Sequence, residues 1–181
     1  MKRLIVLTTL VLGTAGAAFG QEAQCFQNDH YLVIEQPRFE EVGSEFIVRP
    51  PARGKIACSF ETSDGDIRIG EIDDPIHYLG LAGPYLVLER STGPDGNLVV
   101  YDLDAGAFEP IIDVPVDDEI LVDDETIAYW ERTDVGTAEN CKEYAEHRSY
   151  GFGSVISEER TFDIASGTLS ASGDWRCSST Q

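Results

Sequence analysis

The sequence predicts a mainly β chain, a compact antiparallel sandwich or barrel-like meander with one short C-terminal helix. Three observations carry that expectation. Apolar runs of roughly four to eight residues, rich in Val, Ile, Leu and Tyr, recur along the chain. Clusters of Gly, Pro, Asp and Ser separate them, residues that favour turns by positive φ, fixed φ or local side-chain hydrogen bonds. Only one stretch, around residues 141–148, strings good helix formers together.

The elements follow in order. Residues 1–20 read as a signal peptide: Lys2 and Arg3, then the apolar run Leu4 to Leu12, then small residues up to Gly20. The run is too short to cross ~30 Å of hydrocarbon, which takes about 20 apolar residues, and no later segment is apolar enough to span a bilayer. The expected location is therefore periplasmic or secreted. Residues 21–181 are long enough for a single β-rich domain with its own core.

Within that domain "HYLVIEQ" and "EFIVRP" are compact β-prone runs ending at Pro50-Pro51, where ladder hydrogen bonding must stop. "GKIACSFET" and "DIRIGEI" flank Ser63-Asp64-Gly65, a hairpin signal because Asp-Gly tolerates positive φ. "GPYLVLERS" and "NLVVYDLD" follow, the second apolar on both of its alternating faces. "AFEPIIDV", "EILV" and "TIAYWER" complete a meander, with Asp123-Asp124-Glu125 as a tight turn before the last. Period-2 alternation predicts Leu86, Leu88, Val99, Tyr101, Ile127 and Tyr129 inward, and Trp130 on the opposite face. The helix is expected over Cys141 to Arg148, capped by Asn140 and ended by Gly151. The chain then returns as "SVISEERTFDI", turns at Ser166-Gly167, and ends in a tail carrying Trp175, Arg176 and Cys177.

The 4 cysteines, Cys25, Cys58, Cys141 and Cys177, all follow the leader. An even count in an exported chain reads as disulfides, and four cysteines allow three pairings. Proximity favours Cys25–Cys58 and Cys141–Cys177. Zinc competes poorly, because no C-x-x-C and no paired histidine is present.

From Tyr85 to Arg132 the rhythm "LVL…LVVYDL…FEPII…IAYWE" resembles one blade of a β-propeller. No second copy follows, and a propeller needs at least about four. The motifs "YDLDAG", "YWERT", "ENCKEYAE", "GFGSVISEE" and "WRCSS" resemble a type of small exported bacterial protein, uncharacterised in activity. That likeness spans roughly Tyr78 to Gln181. It implies the β fold and the C-terminal disulfide, and no catalytic residue.

Charge narrows the partners. The chain has 13 basic side chains against 33 acidic ones, a net −20, and losing Lys2 and Arg3 with the leader makes the rest more negative. Nucleic acid and anionic lipid are excluded as default partners, since both require clustered Lys and Arg. A cationic protein or peptide, or a divalent ion, fits the sign. On charge alone, a solvating shell with no partner is the simpler account.

Catalytic motifs are thin. Glu143 and His147 stand one helical turn apart, but a metalloprotease helix needs a second histidine. Cys141 with His147 as base would need both on one helical face, and six residues do not provide that. Ser154 lies in Gly-Phe-Gly-Ser-Val, which is not the Gly-x-Ser-x-Gly elbow. Ser63-Asp64-Gly65-Asp66 and Asp117-Asp118-Glu119 offer hard oxygens for a weak calcium site, without the twelve-residue calcium loop. No nucleotide or dinucleotide fingerprint occurs, so no organic cofactor is expected.

The expected function is therefore non-enzymatic binding through acidic surface and loops, with Asp117, Asp118, Glu119, Asp123, Asp124 and Glu125 as the candidate partner-binding group. One alternative is an inhibitor of a cationic exported enzyme such as a lysozyme, whose basic cleft acidic loops would enter. The other is a small hydrolase working through two carboxylates.

Overall fold

A computed structural model describes residues 22–181 apart from Ala57 and Phe108, so the expected leader lies outside the described residues. Two antiparallel sheets make up the fold. The small one runs in the order β1-β2-β3-β4, with β1 at Gln24–Gln27, β2 at Leu32–Pro37, β3 at Ser44–Arg49 and β4 at Ile67–Ile69. The large one has seven strands, in the order β11-β10-β9-β8-β7-β6-β5. These are β5 Ile76–Ala82, β6 Tyr85–Ser91, β7 Gly96–Asp102, β8 Ile112–Val122, β9 Thr126–Val135, β10 Gly153–Asp163 and β11 Thr168–Thr180. Each is paired with its sequence neighbour, so every connection is a local return and no crossover is needed. One short helix, α1 at Tyr144–Ser149, interrupts the meander between β9 and β10.

The core explains why β6 and β7 are apolar on both faces. Leu86 and Leu88 stand opposite Tyr101 and Val99 in the β6–β7 register, and this face packs on Val33, Phe46, Val48 and Ile69 of the small sheet. That half is a sandwich. On the other face Tyr85, Val87, Leu98 and Val100 pack with Ile112, Val116, Ile127, Tyr129 and Phe162 of the same large sheet. That half is a sheet curled upon itself. Tyr85 meets Phe162 edge-on, ring centroids 5.0 Å apart. Gly80 on β5 lies against Val122 on β8, close enough that a Cβ there would stand 2.8 Å from Val122 Cγ1. The predicted class holds, and the two forms weighed from sequence, sandwich and barrel-like curl, each describe one end of it.

Several local expectations change. All six predicted core side chains are buried, yet Leu86, Leu88, Val99 and Tyr101 face the small sheet while Ile127 and Tyr129 face the curl. The large sheet is covered from opposite sides at its two ends, so no single inward face exists. The described residues of "GKIACSFET" form no strand. Ile56 and Phe60 instead pack across Leu32, Ile34 and Ile47 on the outer side of the small sheet. The turn at Ser63–Asp66 is real, with the Asp66 amide donating to the Ser63 carbonyl at 3.2 Å, but it joins that covering segment to β4. "IDV" and "EILV" belong to one strand, β8, with its pairing to β9 irregular between Val116 and Ile120. The tail after Ser166-Gly167 is the 13-residue strand β11, a free edge of the large sheet.

Both disulfides take the expected pairing, Cys25–Cys58 with Cα atoms 5.8 Å apart and Cys141–Cys177 with 5.5 Å. No cysteine is free among the described residues. With sequence separations of 33 and 36, each is worth about 3–4 kcal/mol in the chain-entropy account. The first pins the covering segment onto the small sheet. The second ties the approach to α1 onto β11. Among the described residues no helix is long and apolar enough to cross a membrane.

Candidate functional site

The six candidate acids do not form one surface. Val116 points into the curl, so the next residue on β8, Asp117, points to the opposite side. There it is buried, at 4% exposure. Arg132 Nε of β9 donates to Asp117 Oδ1 at 2.9 Å. Asp117 Oδ2 accepts from Ser157 Oγ at 3.0 Å, Arg176 Nε at 3.1 Å and Ser178 Oγ at 2.8 Å. Burial alone would raise this carboxyl's pKa. The four hydrogen bonds outweigh it, and the group is held below the ordinary carboxylate range.

The network continues outward. Arg132 Nη1 reaches Asp95 of the β6–β7 turn at 2.7 Å, and Thr180 Oγ1 donates to the same carboxylate at 3.0 Å. Arg176 Nη1 reaches Glu119 at 2.9 Å, and its guanidinium carbon lies 4.4 Å from the centre of the Trp130 ring. Trp130, predicted to face away from Tyr129, does so and is half-buried beneath that cation. A second node lies alongside, where Arg90 bonds Asp74 at 2.6 Å and also Asp113, whose other oxygen accepts from Asn97 at 2.8 Å. Between the nodes runs a shallow groove of about 300 Å³ lined by Arg90, Asp95, Asn97, Pro115 and Arg132. Both arginines of the groove are neutralised by carboxylates, so it offers no surplus positive charge to an anion.

The remaining candidates divide. Glu119, Asp123, Asp124 and Glu125 are exposed, whereas the Asp118 side chain lies outside the described residues. Asp123 closes the β8–β9 turn, accepting from the Glu125 amide at 2.8 Å and the Thr126 amide at 2.7 Å. Those two backbone bonds hold its pKa down. The expectation that Asp117 belongs to a docking surface is therefore wrong, because two arginines and two serines enclose it. Of the calcium candidates, Asp66 is likewise engaged, by Arg49 at 2.6 Å and by the Ser63 amide at 2.7 Å.

The Cys141–His147–Ser154 region is a clasp. The helix is shorter than expected, with Glu143 rather than Asn140 at its N-terminal boundary. Asn140 Oδ1 instead accepts from the Thr137 amide at 2.6 Å, closing the preceding turn. His147 does not pair with the Glu143 side chain. Its Nδ1 lies 2.8 Å from Ser154 Oγ, and the His147 ligand atoms lie within 4.8 Å of the Cys141 and Cys177 sulfurs. Both sulfurs are in the disulfide, so neither is a thiolate ligand or nucleophile. Ser154 is buried at 4% exposure, which shields its hydroxyl from substrate.

Acids also line hollows elsewhere, Glu71, Asp73 and Asp74 one of about 530 Å³ that they share with Arg68 and Arg90. Glu22, Glu35 and Glu41 line a hollow of about 490 Å³ with His77 at its wall. Glu35 is buried and accepts from Ser44 Oγ at 2.7 Å, a pin between β2 and β3.

Sequence reasoning missed Arg90, Arg132 and Arg176. For Arg132 and Arg176 the available signal was an arginine within two residues of a tryptophan, "YWERT" and "DWRCS"; Arg90, in "LVLERS", carried none. Each arginine needed a carboxylate from another strand, and only pairing names that carboxylate. The chain matches no protein-family model, no curated protein and no solved structure.

Proposed function

We propose that this protein is an exported, non-enzymatic binding protein whose acidic surface engages a cationic protein or peptide. The observation that carries the reading is how its charges are distributed. Among the described residues, every ion pair involves one of Arg38, Arg49, Arg68, Arg90, Arg132, Arg160 and Arg176. Among the described residues, only Arg53, Lys55, Lys142 and Arg148 are basic side chains outside such pairs, against a chain total of 33 acids. The surface is left with unpaired carboxylates of one sign, which accelerate encounter with a positive partner and repel a negative one.

Two further features support binding over hydrolysis. Asp117, Asp123 and Asp163 are held below the ordinary carboxylate range by hydrogen bonds, the opposite of what a general acid needs at neutral pH. The part-buried Ser154–His147 pair fixes α1 to β10. Two disulfides support an oxidising location.

Affinity capture on the immobilised, disulfide-bonded protein at low and at physiological ionic strength tests the reading, with retained proteins identified by mass spectrometry. The expected result is a retained protein of net positive charge, released as salt rises. Retention of only acidic proteins, or turnover of glycan or peptide substrates by the purified protein, overturns it.

A further inference from the structure

We propose that the groove between the β2–β3 and β4–β5 turns docks a basic segment of a partner protein, which inserts an apolar side chain between Phe39 and Ile72. This deepens the acidic-surface reading and rests on it. Phe39 is 86% exposed and Ile72 65%, and Val42, at 54%, lines the neighbouring hollow. Large apolar side chains clustered on one surface are unusual for a chain with no use for them. Phe39 and Ile72 line a groove of about 510 Å³ floored by Pro37 and the half-buried Phe60.

These side chains sit on turns held rigidly from below. Arg38 Nη1 donates to the Val42 carbonyl at 3.3 Å and to the Asp74 carbonyl at 2.8 Å, and Nη2 donates to the Glu71 carbonyl. One guanidinium, its side chain only 7% exposed, therefore ties the loop bearing Phe39 and Val42 to the loop bearing Ile72. An anchor site preorganised in this way loses little entropy on binding.

Charge selects the occupant. Glu40, Glu41, Glu71 and Asp73 are exposed around the groove, and none of them takes part in an ion pair. Of the two nearby cations, Arg38 is turned inward to backbone carbonyls and Arg68 is paired with Glu45 at 3.3 Å. An acidic rim around an apolar floor complements a peptide with Lys or Arg flanking an aliphatic or aromatic residue. A second copy fits poorly, since each chain carries a net −20.

The test uses fluorescence anisotropy with the disulfide-bonded protein and two labelled peptides of equal length and charge, one alternating lysine and leucine, the other lysine with serine. The lysine–leucine peptide should bind more tightly. Phe39→Ser/Ile72→Ser should weaken it by about tenfold or more, the scale of one buried apolar side chain. Glu40→Gln/Glu41→Gln should weaken it roughly two- to fivefold at low salt and less at physiological salt. Circular dichroism and melting confirm folding, with Ile72→Ala alone as a milder substitute should the double variant fail. Equal binding of the two peptides, unchanged by Phe39→Ser/Ile72→Ser, overturns the groove and leaves the acidic-surface reading standing. No binding of either peptide overturns both. A dimer in sedimentation that Phe39→Ser/Ile72→Ser dissociates reassigns the groove to a second copy and overturns the proposal.

Discussion

Asp117 has its charge met by Arg132 and Arg176, while Ser157 and Ser178 take its remaining acceptor sites. Replacing it with Asn removes the charge and turns an amide N–H₂ toward donors. Asp117→Asn should therefore destabilise the fold by about 1–3 kcal/mol, the scale of losing hydrogen bonds to a buried charged acceptor, with Arg132 and Arg176 keeping Asp95 and Glu119 as partners. The pH dependence has a definite sign. The folded carboxyl is held down, so its contribution is fully present above the unfolded value near 3.9 and is lost as pH falls through the lower folded value. Urea midpoints at pH 6 and pH 3 should fall steeply for the native protein and less for Asp117→Asn. Equal slopes would show that Asp117 is not the group that titrates. The run Asp117-Asp118-Glu119 reads locally as a turn. It lies within β8 because Val114, Val116 and Ile120 on either side pack in the curl, and tertiary burial overrides local turn preference.

At the scale of elements, the seven-stranded meander closes where β5 meets β8, and Gly80 is there because no side chain fits. A Cβ on Gly80 would stand 2.8 Å from Val122 Cγ1 and 3.3 Å from its Cβ. Val122 is β-branched and cannot swing aside cheaply. Gly80→Ala should cost about 1–3 kcal/mol by overpacking. In a Val122→Ala background it should cost less, giving a coupling of about 1 kcal/mol or more in a double-mutant cycle. Additive costs would mean that the curl relaxes elsewhere. Strand content and most strand positions were legible, because alternating apolar runs are a local property. Their closure was not, since nothing near Gly80 in sequence names Val122.

For the molecule as a whole, the surplus of unpaired carboxylates should make the native state self-repelling. Exposed charges are screened beyond about 10 Å at 0.1 M salt. Raising sodium chloride from ~20 to ~200 mM should then raise the melting temperature by a few degrees, as repulsion is relieved faster than the buried Arg–Asp pairs are weakened. A fall instead would mean that screened ion pairs dominate. The candidate site divided along the same line. Sequence located the acids, yet whether each is a docking group or an internal brace depended on which arginines folding delivered. Asp117 became a brace, and Asp124 and Glu125 remained on the surface.

The sequence by itself determined the strand-rich class, the disulfide pairing suggested by proximity and the acidic charge, since periodicity, spacing and composition are local or additive properties. Only the tertiary structure decided which face of each strand is covered, which acids are buried and where apolar side chains are left exposed on a rigid base. These depend on partners far apart in the chain: Asp117 meets Arg176, Gly80 meets Val122, and Arg38 joins two loops. Such contacts come into being when the sheets pack.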